Sequence, residues 1–221
     1  MTTHRRTSSA ATPAPRQERP GRVPAGIATR YLDDLRRVLA KIEVTDTSGK
    51  QAALDDGVDW FVSLITTLRP GRKVQFIGNG GSATLASHGA LDWWKNGGIR
   101  AVAYNDPANL TAVSNDFAFE QVFELQIERF ADKGDLLVAI SSSGKSKNIL
   151  RGVAAARRAG CAVCTMSGFS PGNPLRQLGD LNFYVPSNSY GFVEVSHSAL
   201  LHCVMSILAS RLTRAPLDHW A

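Results

Sequence analysis

The sequence predicts an α/β fold: a doubly wound, five-stranded parallel sheet flanked by helices and preceded by two N-terminal helices. Three observations carry that expectation. Short β-rich runs alternate with helical segments from Val74 onward, the order that builds a parallel sheet. One run, Leu136-Leu137-Val138-Ala139-Ile140, is apolar throughout, as a strand covered on both faces must be. Two runs end in loops rich in glycine or serine that each open a helix, and ligands of such sheets bind at the carboxyl ends of the strands.

The elements follow in order. Ile27, Tyr31, Leu35, Val38, Leu39 and Ile42 recur at spacings of three and four, one face of a first helix. Leu54, Val58, Phe61, Ile65 and Leu68 form the face of a second helix that stops at Pro70-Gly71. Strands are expected at 74–77, 101–104, 136–140, 162–166 and 181–185, with helices between them, notably over 150–159, and a final helix over about 193–212. No internal repeat is visible.

The chain has 221 residues, the size of one domain with appendages. The folded domain is expected over 26–214, with a basic leader over 1–25 and a short tail over 215–221. The leader holds Arg5, Arg6, Arg16, Arg19 and Arg22 against the single acid Glu18, a balance of +4 out of the net +6. The remaining +2 is spread over 196 residues, so the charge gives no reason to expect nucleic acid as a partner. Pro13, Pro15, Pro20 and Pro24 among Ser, Thr and Ala leave the leader too little apolar surface to offset its ordering entropy, and disorder is expected there. Three cysteines, Cys161, Cys164 and Cys203, are too few for a disulfide framework and point to a reducing compartment. Cys161 and Cys164 spell C-x-x-C but run into a strand, where packing accounts for them. No run approaches the roughly 20 apolar residues of a membrane span, and no secretory signal is evident. A cytoplasmic protein with no membrane partner is expected.

The first loop reads Gly78-Asn79-Gly80-Gly81-Ser82-Ala83. Glycines turn the backbone sharply and bring its N–H groups to an anion at a helix N-terminus. The loop also fits the G-x-G-x-x-[GA] dinucleotide fingerprint, with Asp106 in place of the ribose-binding acid, so a nicotinamide-dependent oxidoreductase is a competing reading. The second loop, Ser141-Ser142-Ser143-Gly144-Lys145-Ser146, places four hydroxyls and a lysine at the next helix start, a cradle for an oxyanion. A dinucleotide site does not require it.

Two helices carry metal-ligand chemistry. His88 and Asp92 stand at i, i+4 and share a face. Glu194 and His202 are eight apart on the last helix, a little over two turns, and share a face too; His197 is less squarely placed.

The pairing of Gly78-Asn79-Gly80-Gly81-Ser82 with Ile140-Ser141-Ser142-Ser143-Gly144-Lys145-Ser146 resembles the sugar isomerase (SIS) family. The segment from Asn105-Asp106 through Ser114-Asn115-Asp116-Phe117 resembles its sedoheptulose 7-phosphate (phosphoheptose) isomerase branch. The likeness runs from about Ile27 to Leu212. It implies a metal-assisted aldose–ketose isomerase of a sugar phosphate that works through an enediolate as a homotetramer. A non-catalytic, partner-binding regulatory member of the family is the alternative it also implies. By resemblance, zinc is held by His88, Asp92, Glu194 and His202, with Asp92 and His202 as the acid–base pair. Ser82, Ser141, Ser143 and Ser146 hold the phosphate with the amides at Gly80 and Gly144, Asp106 meets sugar hydroxyls, and Asn79, Gly81, Ser142 and Glu194 complete the substrate-binding set. Asp92 and Glu194 depart from the glutamate and glutamine of that branch, which leaves the metal and the sugar open. Trp93-Trp94-Lys95 departs as well; Lys95 offers a point charge where the branch has an arginine, and the tryptophans suit a sugar face or a subunit contact.

Overall fold

The structure, a computed structural model, describes residues 23–213. The leader expected over 1–25 and the tail expected over 215–221 fall almost wholly outside the described residues.

The elements are α1 (Ile27–Leu39), β1 (Glu43–Asp46), β2 (Gln51–Ala52), α2 (Leu54–Thr66), β3 (Val74–Gly78), α3 (Gly81–Lys95), β4 (Ala101–Ala103), α4 (Pro107–Asp116), α5 (Glu124–Phe130), β5 (Leu136–Ser141), α6 (Lys147–Arg158), β6 (Ala162–Ser167), β7 (Leu181–Tyr184) and α7 (Tyr190–Thr213). Single 3₁₀ turns occupy Phe119–Gln121 and Pro174–Gln177. All five expected strands are present and pair in parallel, in the order β7-β6-β5-β3-β4. The sheet then continues through β1, antiparallel to β7, and β2, antiparallel to β1. This hairpin takes the residues just after the first expected helix, which ends at Leu39 instead of Ile42. Asp46 closes its turn, accepting from the Ser48 and Lys50 amides and the Ser48 hydroxyl, and Gly49 takes the left-handed conformation at φ +79°.

Alternation along the strands sends residues to two layers. Val74, Phe76, Leu136, Val138 and Ile140 face α2, α3 and α7, whereas Ile77, Leu137 and Ala139 face α5 and α6. Trp93 is fully buried between the Phe61 and Phe76 rings, 5.6 and 4.9 Å away, so it belongs to the core and not to a sugar face; truncating such a ring costs about 3–5 kcal/mol. Trp94 and Lys95, beside it, are exposed. Cys161 and Cys164 are free and buried, one in each layer, and burial pushes the Cys161 thiol up to about 11, consistent with packing. At the opposite end of the sheet from the loops, buried Asp135 accepts from the Lys73 and Asp132 amides and the Gln75 side chain, which pins the starts of β3 and β5.

Helix α7 corrects one expectation: Tyr190–Leu212 is long and apolar enough, by length and composition, to cross a membrane. Its apolar residues have another use. Val193, Val204 and Leu208 are buried, the last two in the layer that covers β3 and β5, and α7 packs on α2 and α3. In contrast, α1 buries no residue. Tyr31 meets the Phe192 ring at 4.8 Å, but Ile27, Tyr31 and Leu32 stay exposed.

Candidate active site

The two loops leave the carboxyl ends of adjacent strands β3 and β5 and face each other. Between them lies a pocket of about 250 Å³ lined by Asn79, Gly80, Gly81, Ser82, Ser141, Ser142, Ser143, Ser146, Tyr190 and Glu194. The four serines expected to hold the phosphate and Gly80 are therefore on its wall, whereas Gly144 and Lys145 are not among its lining residues. Neither Gly80, which caps α3, nor Ser146, which caps α6, spends a side chain on its helix. The leading N–H groups of both helices are thus available to an anion, apart from Ala83, which donates to Gly80 O, and Ile149, which donates to Asn148 Oδ1, and the dipoles favour one. The buried Ser142 hydroxyl has no hydrogen-bond partner among the described residues, a state that a ligand oxygen would relieve. Ser141 and Ser146 hydroxyls stand 3.5 Å apart, and the Ser143 hydroxyl accepts from the Lys145 amide. Lys145 itself is exposed.

Two contacts fix the shape of this cradle, and no local sequence pattern signals either. Asn79 and Asn148 exchange a reciprocal pair of amide hydrogen bonds, both 2.9 Å, which ties the first loop to the start of α6. Asn173, fully buried, packs against Gly144 at φ +62° and donates to Ser167 Oγ and to the carbonyls of Gly168 and Ser170.

The second centre lies further along the same helices. His88 Nε2 stands 3.2 Å and His202 Nδ1 3.8 Å from Asp92 Oδ2, and the two imidazole centroids are 5.2 Å apart. The ligand atoms of His88, Asp92 and His202 all lie within 4.8 Å of one another. Two imidazoles and a carboxylate suit zinc, whose tetrahedral geometry spaces donors about 3.4 Å apart, and three protein ligands leave a fourth position open. Glu194, the fourth ligand implied by resemblance, lies at the serine pocket instead. Its carboxylate occupies the space that a Cβ on Gly81 would fill, 2.5 Å from that position. From Ser82 to His88 is about 9 Å along α3, and from Glu194 to His202 about 12 Å along α7, at 1.5 Å per residue.

Asp106 caps α4, accepting from the Asn109 amide at 3.0 Å, so the carboxylate that a nicotinamide reading would give to a ribose is engaged in the fold. Its neighbour Asn105 donates to Ala83 O and Ser87 Oγ on α3, while its own Oδ1 is buried without a partner among the described residues. His197 is fully buried. Its Nε2–H donates to Ser167 O at 3.2 Å, its Nδ1 has no partner among the described residues, and desolvation holds its pKa down at about 4. It is a neutral core histidine, away from the His–Asp trio. Tyr190, on the pocket wall, was not among the expected site residues.

A parallel sheet with a glycine loop and a serine loop at adjacent strand ends defines a class, and residues 30–168 match the SIS domain family. The chain is 32% identical over 189 residues to a phosphoheptose isomerase of Syntrophotalea carbinolica, covering 82% of this chain and 92% of that protein. It is 35% identical over 155 residues to one of Aliarcobacter butzleri, covering 67% and 82% respectively. The structure of a phosphoheptose isomerase from Neisseria gonorrhoeae matches with a TM-score of 0.72 at 28% identity, over 83% of this chain and 97% of that one. The chain belongs to the phosphoheptose isomerase family of SIS domains.

Proposed function

We propose that the protein is a sugar phosphate aldose–ketose isomerase acting on sedoheptulose 7-phosphate or a related sugar phosphate. The observation that supports this most is that α3 and α7 each carry part of both centres: Ser82 with His88 and Asp92 on one, Glu194 with His202 on the other. A separation of about 9–12 Å suits a substrate whose phosphate and carbonyl ends are several carbons apart.

In this reading Ser82, Ser141, Ser143 and Ser146 hold the phosphate with the amides that open α3 and α6, and Ser142 Oγ gains its missing partner. Asn79 and Glu194 line the same pocket and meet the sugar. His88, Asp92 and His202 hold zinc, which when bound supplies polarisation of the carbonyl and neighbouring hydroxyl oxygens. A proton leaves the carbon beside the carbonyl, giving an enediolate, and returns to the adjacent carbon. In this reading Asp92 accepts that proton and His202 returns it. Assembly as a homotetramer in the cytoplasm completes the proposal; the uncovered apolar side chains of α1 are what a subunit contact would bury.

The test is NMR of zinc-reconstituted protein incubated with sedoheptulose 7-phosphate, with His202→Ala alongside. Aldose formation that disappears in the variant is expected. No aldose from folded, zinc-loaded protein would overturn this substrate, and loss of turnover on every sugar phosphate offered would overturn the isomerase reading.

A further inference from the structure

We infer that Tyr190 is a specificity-determining residue of this pocket, and that Phe169 is the positioning residue that holds it there. The inference rests on the reading of the serine pocket as a phosphosugar site.

Phe169 is the one non-glycine residue with positive φ among the described residues, at +58°. A bulky side chain rarely adopts that conformation, and where one does the surroundings must hold it. Both sides of the residue are held. Its amide donates to Ser187 O at 3.0 Å, and its carbonyl accepts from the Tyr184 hydroxyl at 2.7 Å. The Phe169 ring so held meets the Tyr190 ring edge-on, 4.7 Å between centroids and 75° between planes.

Tyr190 is the first residue of α7 and lines the pocket opposite the serine loop. The rest of the wall is glycine, serine, asparagine and a carboxylate, all suited to an anion or hydroxyls. Tyr190 contributes the single aromatic face, exposed and ready to cover the carbon chain of a ligand. A phosphate ion alone has no use for that face. A sugar phosphate does, so Tyr190 separates the two.

The full-length, zinc-loaded protein is assayed for kcat and KM with sedoheptulose 7-phosphate, and for the Ki of inorganic phosphate as competitor. An aromatic face of this kind accounts for about threefold to tenfold in affinity. Tyr190→Ala is expected to raise KM by that factor with kcat within about twofold and the phosphate Ki unchanged. Tyr190→Phe, which keeps the ring, stays near wild type. Phe169→Gly removes the strain together with the ring, so it folds at least as stably in urea yet raises KM in the same direction. Phe169→Tyr, which restores a ring, returns KM to the wild-type value. A Tyr190→Ala protein with unchanged KM, or with phosphate Ki and KM rising together, overturns the specificity role. An unchanged KM in Phe169→Gly overturns the positioning role. Failure of the wild type to bind either ligand overturns the phosphosugar reading itself, an outcome distinct from both.

Discussion

Two glycines with positive φ turn the two loops, and alanine at each should cost very different amounts. Gly80, at φ +54°, has nothing within 4 Å of where a Cβ would stand. With ψ −124° it lies outside the left-handed helical well, in a region nearly confined to glycine, so its replacement by alanine carries a backbone cost alone, about 1–3 kcal/mol. Gly144 also has positive φ, +62°, but a Cβ there would lie 1.9 Å from Asn173 Oδ1 and 2.3 Å from its Cγ. Asn173 has no room to yield cheaply. It is fully buried, its amide nitrogen donates three bonds, and its oxygen accepts the Arg176 amide at 3.0 Å. Displacing it leaves at least one buried group unpaired, about 1–3 kcal/mol more. Gly144→Ala should therefore destabilise by about 2–6 kcal/mol and Gly80→Ala by about 1–3 kcal/mol, the difference being the displaced Asn173. Urea unfolding of both variants measures this, and adding Asn173→Ala to Gly144→Ala should give back part of the loss, because the smaller side chain removes the overlap. Equal destabilisation by the two alanines would refute the claim that Asn173 sets the shape of the serine loop.

Other consequences follow from particular contacts. Asn79→Ala and Asn148→Ala should each raise KM for the sugar phosphate, and a double-mutant cycle on KM should show a coupling of about 1–2 kcal/mol from the shared amide pair. Simple additivity would contradict the pairing. Glu194→Gln removes a charge from the pocket that receives the phosphate. At about 4 Å two unit charges repel by about 1 kcal/mol in water, so inorganic phosphate should bind at least about fivefold tighter, with the gain shrinking at high salt; weaker binding would show that Glu194 does not face the anion. His197 is neutral and buried with a pKa of about 4, against about 6.5 unfolded. Its contribution to stability is full above pH 6.5 and is lost as pH falls from there toward 4, where the unfolded chain takes up the proton first, for a total of about 3 kcal/mol. Urea titrations across that window should show the loss in wild type and a flatter profile in His197→Gln.

The five parallel strands were legible because short β-rich runs alternate with helical segments, and two of them, 74–77 and 136–140, end directly in glycine or serine. The hairpin of β1 and β2 was not, because Ile42 continues the helical spacing of α1 and only the Asp46-to-Gly49 turn marks the change. Periodicity also placed His88 beside Asp92 correctly, since four residues are one helical turn. Over eight residues the same reasoning is weaker. Glu194 and His202 share a face of α7 yet stand about 12 Å apart along it, and their side chains lie in different pockets. The Asn79–Asn148 pair, the Asn173 brace and the Phe169–Tyr190 contact join residues 21 to 69 positions apart or depend on one backbone angle, and no local pattern encodes them.

The account stands on the serine cradle and the His–Asp trio being two ends of one site. The most direct measurement compares Ser143→Ala and His202→Ala in the zinc-loaded protein, following sedoheptulose 7-phosphate turnover and inorganic phosphate competition together. The expected result is a split: Ser143→Ala weakens phosphate and raises KM with turnover retained, and His202→Ala abolishes turnover while phosphate still binds with wild-type affinity. Undiminished turnover in His202→Ala, or phosphate and sugar phosphate that fail to compete in the wild type, would contradict it.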